Sequence, residues 1–216
     1  MSAKLKLGIL ISGRGSNLQS LIDAALDSDF PAEIVTVISN VPDAGGLKRA
    51  QQTNIPTTEI NHKDFDGREP FQDALHDALT SAGVELICLA GFMRLLTDSF
   101  VNHWLDKLIN IHPSILPSFK GLHTHERAIK AGVRFSGCTV HFVRPEMDDG
   151  PIIVQAAVPI HQEDTPDALA GRVLIEEHKI YPLAVKLIAE GRVSVENGAV
   201  KIKNAVNPDS AIINPS

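Results

Sequence analysis

Strand-like and helix-like periods alternate through the first half of the chain, and this alternation constrains the fold more than any other feature. Leu5 to Ser12 (LKLGILIS) is a near-continuous apolar run of strand length. Gly13-Arg-Gly follows, and then Leu18, Leu21, Ile22 and Ala25 fall at i, i+3, i+4 and i+7, one face of a helix. Glu33–Ser39 is a second β-branched run, Ala44–Gln52 a helix, Thr57–Ile60 a short strand and Arg68–Ala82 a helix closed by Gly83. Val84–Ala90 reads as a strand, Thr97 or Asp98 as the cap of a short helix, and Lys107–Ile111 as a further strand. Strands separated by helices imply right-handed crossovers and a parallel sheet covered on both faces.

The second half changes character. Cys138–Val143 and Pro151–Ile160 are β-rich runs separated by a loop too short for a helical crossover, so they are expected to pair antiparallel. Thr165-Pro-Asp carries an N-cap, a proline at N1 and an acid in the first turn, and opens a long helix to about Ala189. Asn197-Gly198 predicts a small hairpin between Val193–Val195 and Ala199–Ile202. The expected fold is α/β: a Rossmann-like, open, mainly parallel sheet with helices on both faces and an antiparallel C-terminal extension. Residues 1–206 are read as a single domain and 207–216 as a frayed tail.

Composition narrows the class of function. A formal charge of −6, from 20 Lys+Arg and 26 Asp+Glu, gives no electrostatic footprint for nucleic acid or an anionic membrane. Two cysteines, Cys88 and Cys138, cannot build a disulfide framework and fit a reducing compartment. No apolar run approaches about 20 residues, and the start shows no signal-peptide pattern. A cytoplasmic globular protein acting on small molecules is the expectation.

Ser12-Gly-Arg-Gly-Ser-Asn17 lies between a buried strand and an amphipathic helix. Small residues there let backbone N–H groups approach an anion at the helix N-terminus, with Ser16 or Asn17 available as cap and as ligand contact. The loop lacks the third glycine of a dinucleotide fingerprint and the Gly-Lys-Ser/Thr of a Walker A loop. A single phosphate fits better than a dinucleotide; a tight turn without ligand is the other reading.

Ile109-Asn-Ile-His-Pro carries most of the chemical information. In an extended chain Asn110 and His112 share one face, and Pro113 ends the ladder, leaving both at the carboxyl end of a strand, where open α/β sheets bind ligands. An asparagine amide donates to a developing oxyanion without titrating, and a neighbouring imidazole donates to the same oxygen or shuttles a proton. Glu146-Met-Asp-Asp-Gly-Pro joins the two antiparallel strands. If that loop folds over the sheet end, one of Asp148 and Asp149 points at His112 and favours its charged form, while its neighbour diverges.

Nine histidines raise the question of metal. His123-Thr-His125 has suggestive spacing, but cysteine pairs are lacking and Glu59 and His62 fall at a strand end rather than on a helix face. No metal site is expected.

Six segments, in order, resemble the phosphoribosylglycinamide formyltransferases: LISGRGSNLQSLID, ISN with AGGLKRA, LAGFMRLLT, LINIHPSILPSFKGLHTHERAI, VHFVRPEMDDGPIIVQ and EEHKIYP. GLHTHERAI favours this family over its tRNA-formylating and formate-releasing relatives, and the latter usually carry an extra N-terminal domain, whereas the first strand here begins by Leu5. The resemblance implies the formyltransferase fold, 10-formyltetrahydrofolate as co-substrate, glycinamide ribonucleotide as acceptor, and a place in purine biosynthesis. It further implies Asn110, His112 and Asp148 as the catalytic set. Gly15, Ser16, Asn17 and Glu177 would bind the acceptor; Arg68, the segment Met93, Arg94, Leu95 and Leu96, and Asn110 would bind the folate. Two positions depart from the family pattern: Asp149 replaces a glycine and Pro145 an acid. Monomer and homodimer both remain open.

Overall fold

A computed structural model describes residues 3–206 and 208–215; Asn207 and Ser216, in the segment expected to fray, and the first two residues lie outside that description. Among the described residues, nine strands and six helices follow in order: β1 Leu5–Ile11, α1 Ser16–Ala25, β2 Ala32–Ser39, α2 Gly45–Gln52, β3 Thr57–Glu59, α3 Arg68–Ser81, β4 Leu86–Leu89, α4 Asp98–His103, β5 Leu108–His112, α5 Thr124–Lys130, β6 Phe135–Phe142, β7 Ile152–Pro159, α6 Pro166–Ala189, β8 Val193–Glu196 and β9 Ala199–Ile202. A 3₁₀ turn, His62–Asp64, precedes α3.

Seven strands form one sheet in the order β3-β2-β1-β4-β5-β6-β7. β1 pairs parallel with β2 and β4, β2 with β3, and β4 with β5. β6 and β7 pair antiparallel, and β8–β9 form a separate hairpin. The architecture is the mainly parallel α/β sheet with an antiparallel extension that the sequence pattern implies. No helix among the described residues is long and apolar enough to cross a membrane.

Two compact units emerge. One holds the chain up to Asn110 together with Phe142–Pro145; the other holds Ile111–His141 and the chain from Glu146 onward. In the first, alternation along the strands feeds two faces. Leu10, Ile38, Ile87, Leu89 and Leu108 pack with Phe71, Leu75 and Leu79 of α3 and Phe100, Val101 and Trp104 at α4. Ile11 points the other way, towards Gly46 of α2. In the second unit α6 packs on β7 and α5, burying Leu169, Val173, Ile180, Tyr181, Ala184 and Val185. Asn214 of the terminal segment donates to the carbonyls of Arg134 and Ile160 at 2.6 and 3.1 Å.

Local signals act largely as read. Thr97 Oγ1 accepts from Phe100 N at 3.3 Å and Thr165 Oγ1 from Ala168 N at 3.2 Å, capping α4 and α6. Most ends shift by a residue or two, and three differences have a particular cause or consequence. β6 begins at Phe135, three residues before the run of β-branched side chains, because Phe135–Gly137 continue the register with β7. β5 extends to include His112, one residue beyond the apolar run. Neither Ser16 nor Asn17 caps α1: both lie within the helix, and the N-cap is Gly15 in the left-handed region (φ 74°).

The reason lies in α2. Gly46 N donates to Gly13 O at 3.0 Å, and a Cβ on Gly15 would lie 2.6 Å from Gly46 Cα. Arg49 locks the same junction through Arg14 O and Gln19 Oε1, at 2.9 and 3.1 Å. Both the conformation and the close backbone approach demand glycine. Gly15→Ala is therefore expected to destabilise the protein by about 2–4 kcal/mol, read from urea unfolding; an unchanged unfolding midpoint contradicts this packing.

Candidate active site

β5 delivers Asn110 and His112 two residues apart on one strand, Asn110 half-buried and His112 6% exposed. Beyond Pro113 the chain turns sharply, and Thr139 of β6 anchors that turn. Its Oγ1 donates to Ser114 O at 2.7 Å and accepts from Leu116 N at 3.1 Å and Gln155 Nε2 at 3.0 Å. Gln155 Nε2 also donates to Leu116 O, at 2.9 Å. A buried hydroxyl with one donor and two incoming bonds is fully satisfied, so the turn is fixed in place.

The turn returns a second loop to the imidazole. His112 Nε2 lies 3.1 Å from Phe119 O. A carbonyl only accepts, so Nε2 carries the hydrogen of this bond. The other ring nitrogen, Nδ1, lies 3.4 Å from Asp148 Oδ2. That carboxylate oxygen also accepts from Gly121 N at 2.8 Å, and Oδ1 faces His141 Nε2 at 3.9 Å. The imidazole is thus held between a carbonyl at Nε2 and a carboxylate at Nδ1.

Asp148 has φ 53°. The left-handed backbone turns the two consecutive acids apart: Asp148 towards His112, and Asp149 out to an ion pair with Lys120. The two departures from the family pattern thus have distinct surroundings. Asp149 ties the Asp148 loop to the loop carrying Phe119 and Gly121, while nothing in the structure explains Pro145.

Two histidines given no catalytic or binding role from sequence join the cluster. His141, on β6, is the second imidazole at Asp148. His125, in the first turn of α5, is lowered below its ordinary pKa of 6.5, first by burial and then by the charge of His112. His125 Nδ1 is buried with no hydrogen-bond partner among the described residues. The signal for His141 is a titratable side chain at a buried strand position; His125 is read from sequence only as metal spacing. Among the described residues, no group of three or more His, Cys, Asp or Glu side chains is arranged to hold a metal ion.

Glu177 sits on α6, 7% exposed, on the Leu169/Val173/Ile180 stripe. Its carboxylate is near enough to Cys138 to add to burial, which together push that thiol to about 12 and leave it unreactive at neutral pH. Gly15, Ser16 and Asn17 form the β1–α1 junction described above. Arg68 opens α3 and is exposed. Met93–Leu96 lie in the β4–α4 loop, with Met93 67% and Leu95 62% exposed and Leu96 packed on the core.

An Asn-x-His strand end backed by a carboxylate is suited to polarising a carbonyl and moving a proton, the layout of a group-transfer enzyme. The sequence model of the Formyl transferase family matches residues 5–185. The chain belongs to this formyl transferase family. It is 44% identical to the phosphoribosylglycinamide formyltransferase of Haemophilus influenzae over 97% of this chain and 99% of that one. It is 48% identical to the human trifunctional purine biosynthetic protein adenosine-3 over 91% of this chain, but spans only about a fifth (20%) of that protein's length. The crystal structure of glycinamide ribonucleotide transformylase 1 from Symbiobacterium toebii superposes with a TM-score of 0.91 at 42% identity, covering 94% of this chain and 95% of that one.

The His125 environment fixes a sign. The folded chain resists protonating His125 near pH 6.5, whereas the unfolded chain does not. Its contribution to stability is complete above the unfolded value and is lost as pH falls from there through the lower folded value. His125→Gln should make the loss of stability below pH 6.5 shallower in urea titrations; identical slopes in variant and wild type contradict this environment.

Proposed function

We propose that this chain transfers the formyl group of 10-formyltetrahydrofolate to the free amine of glycinamide ribonucleotide, a step of purine biosynthesis. Support comes from relatives of the same length that carry that name, and from the chemistry available at the end of β5. The single observation that carries the reading is the His112–Asp148 contact at 3.4 Å, two residues along the strand from Asn110. Family membership over residues 5–185 supports taking residues 1–206 as one formyltransferase domain. We read it as a cytoplasmic enzyme of small-molecule substrates, monomer or homodimer.

In this mechanism the acceptor amine attacks the formyl carbon and the carbonyl oxygen becomes an oxyanion. Asn110 donates to it through its amide. His112 Nε2–H leaves Phe119 O and donates to the same oxygen, with Asp148 balancing the imidazolium charge across Nδ1. The tetrahedral intermediate then collapses: the bond from carbon to the folate nitrogen breaks, and that nitrogen takes the proton lost by the amine. Asp148 orients the water that relays this proton. No step requires a metal.

Substrate contacts follow the family pattern. The acceptor phosphate meets the backbone N–H groups of Gly15, Ser16 and Asn17, where no side-chain cap competes for the first turn of α1. Glu177 takes the polar part of the acceptor. Arg68 pairs with the anionic tail of the folate, and Met93, Arg94, Leu95 and Leu96 line its pterin ring together with Asn110. The exposed thioether and isobutyl groups of Met93 and Leu95 are the apolar surface such a ring would cover.

Asn110→Ala and Asp148→Asn each remove a group from the reacting centre. Each should lower kcat by about 10²–10³ or more, with the folded state preserved. Single-turnover measurements on folded variants test this. Near-normal turnover in Asp148→Asn removes the role given to that carboxylate.

A further inference from the structure

We infer that Gln72 is a positioning residue for the folate co-substrate: its buried amide sets the geometry of the Met93–Thr97 loop that the pterin meets. The inference rests on the reading of Met93–Leu96 as the folate loop and adds a residue to it.

Gln72 stands on the apolar face of α3, at i, i+3 and i+7 with Leu75 and Leu79, and only 2% of it is exposed. A polar side chain at a core position needs partners, and this one finds them all in one loop. Nε2 donates to Leu95 O at 3.3 Å, while Oε1 accepts from Thr97 N at 2.8 Å and from Thr97 Oγ1 at 2.9 Å. The other end of the loop is pinned separately: Met93 N donates to Ser12 Oγ at 2.7 Å, and Ser12 donates to Asn40 Oδ1 at 2.5 Å.

These anchors hold residues 93, 95 and 97 and pass over the residues between them. The backbone groups of Arg94 and Leu96 carry no hydrogen bond among the described residues. They remain for a ligand with its own donors and acceptors, and the side chains of Met93 and Leu95 stay exposed beside them.

The chemistry of the clamp is specific to a carboxamide. It must donate to a carbonyl and accept from an N–H two residues on, from one planar group. Glutamate has the acceptor and lacks the donor; methionine has neither in useful strength. Gln72 also lies one turn after Arg68, so a single face of α3 carries both the arginine expected at the folate tail and the amide that shapes the pterin loop.

Kinetics of Q72E, Q72M and L95D, with each substrate varied from neutral to mildly acidic pH, test the inference. At neutral pH Q72E should raise the folate KM about tenfold, the cost of one lost buried hydrogen bond, and Q72M, which loses the acceptor bonds as well, at least as far, while the acceptor KM holds and kcat moves far less. As pH falls, the carboxyl of Q72E gains a proton, donates to Leu95 O again, and brings the folate KM back towards wild type. The other titratable groups around this position are Glu69, Asp73 and His76 on α3 and His103 on α4, which line the same cavity of about 310 Å³. They are common to all variants, so Q72M, which keeps them, should show no recovery.

A normal folate KM in Q72E and Q72M beside a raised one in L95D overturns the role of Gln72 and leaves the loop reading intact. A normal folate KM in L95D as well overturns the loop reading, and this inference with it. An equal loss in Q72E and Q72M with no pH-dependent recovery marks Gln72 as purely structural and also overturns the inference.

Discussion

The carboxylate of Asp148 is the constraint around which the candidate site is organised. Only 12% of the side chain is exposed, and a polar group so enclosed needs hydrogen-bonding partners. It has the Gly121 N–H at 2.8 Å, His112 at 3.4 Å and His141 at 3.9 Å. Those partners come from a loop, from the end of β5 and from β6. Each must be in register for the acid to be buried at all. The left-handed backbone at Asp148 is part of the same arrangement, since it aims one acid inwards and releases its neighbour to Lys120.

Rigidity behind the site comes from groups that do no chemistry. Thr139 and Gln155 fix the turn after His112, so the imidazole is carried on a strand whose exit cannot drift. Gln72 performs the equivalent service for the β4–α4 loop, and the Gly15–Gly46 contact for the glycine loop. A few hydrogen-bonded side chains and one close backbone contact thus hold these loops in position. Preorganisation of this kind lets a weak oxyanion contact count for catalysis, because little reorganisation remains for the reaction itself.

Much of this was legible in sequence where a single local rule decides. Periodicity set most element boundaries, Thr97 and Thr165 declared their helices, and strand alternation put Asn110 and His112 together. What was not legible depends on partners far along the chain. Asp148 and Asp149 are indistinguishable by type, and the choice between them is made by Gly121 and Lys120, well removed in sequence. The capping expected of Ser16 or Asn17 fails because Gly46, on the next helix, needs backbone contact with Gly15. Gln72 left a trace as a polar interruption of an apolar stripe, but its partners in the 95–97 loop appear only in three dimensions. Arg68, Met93–Leu96 and Glu177 came forward through family resemblance, since nothing local distinguishes an exposed arginine or an apolar loop as a folate contact.

The central claim is that the amine of glycinamide ribonucleotide, and not water, receives the formyl group. The most direct measurement supplies the wild-type chain with 10-formyltetrahydrofolate carrying a ¹³C-labelled formyl carbon, with and without glycinamide ribonucleotide, and follows the label by NMR. Label should appear as the N-formyl group of the acceptor, one released folate for each product, with negligible folate release when the acceptor is withheld. Folate release at the same rate without acceptor, with the label recovered as formate, would contradict it.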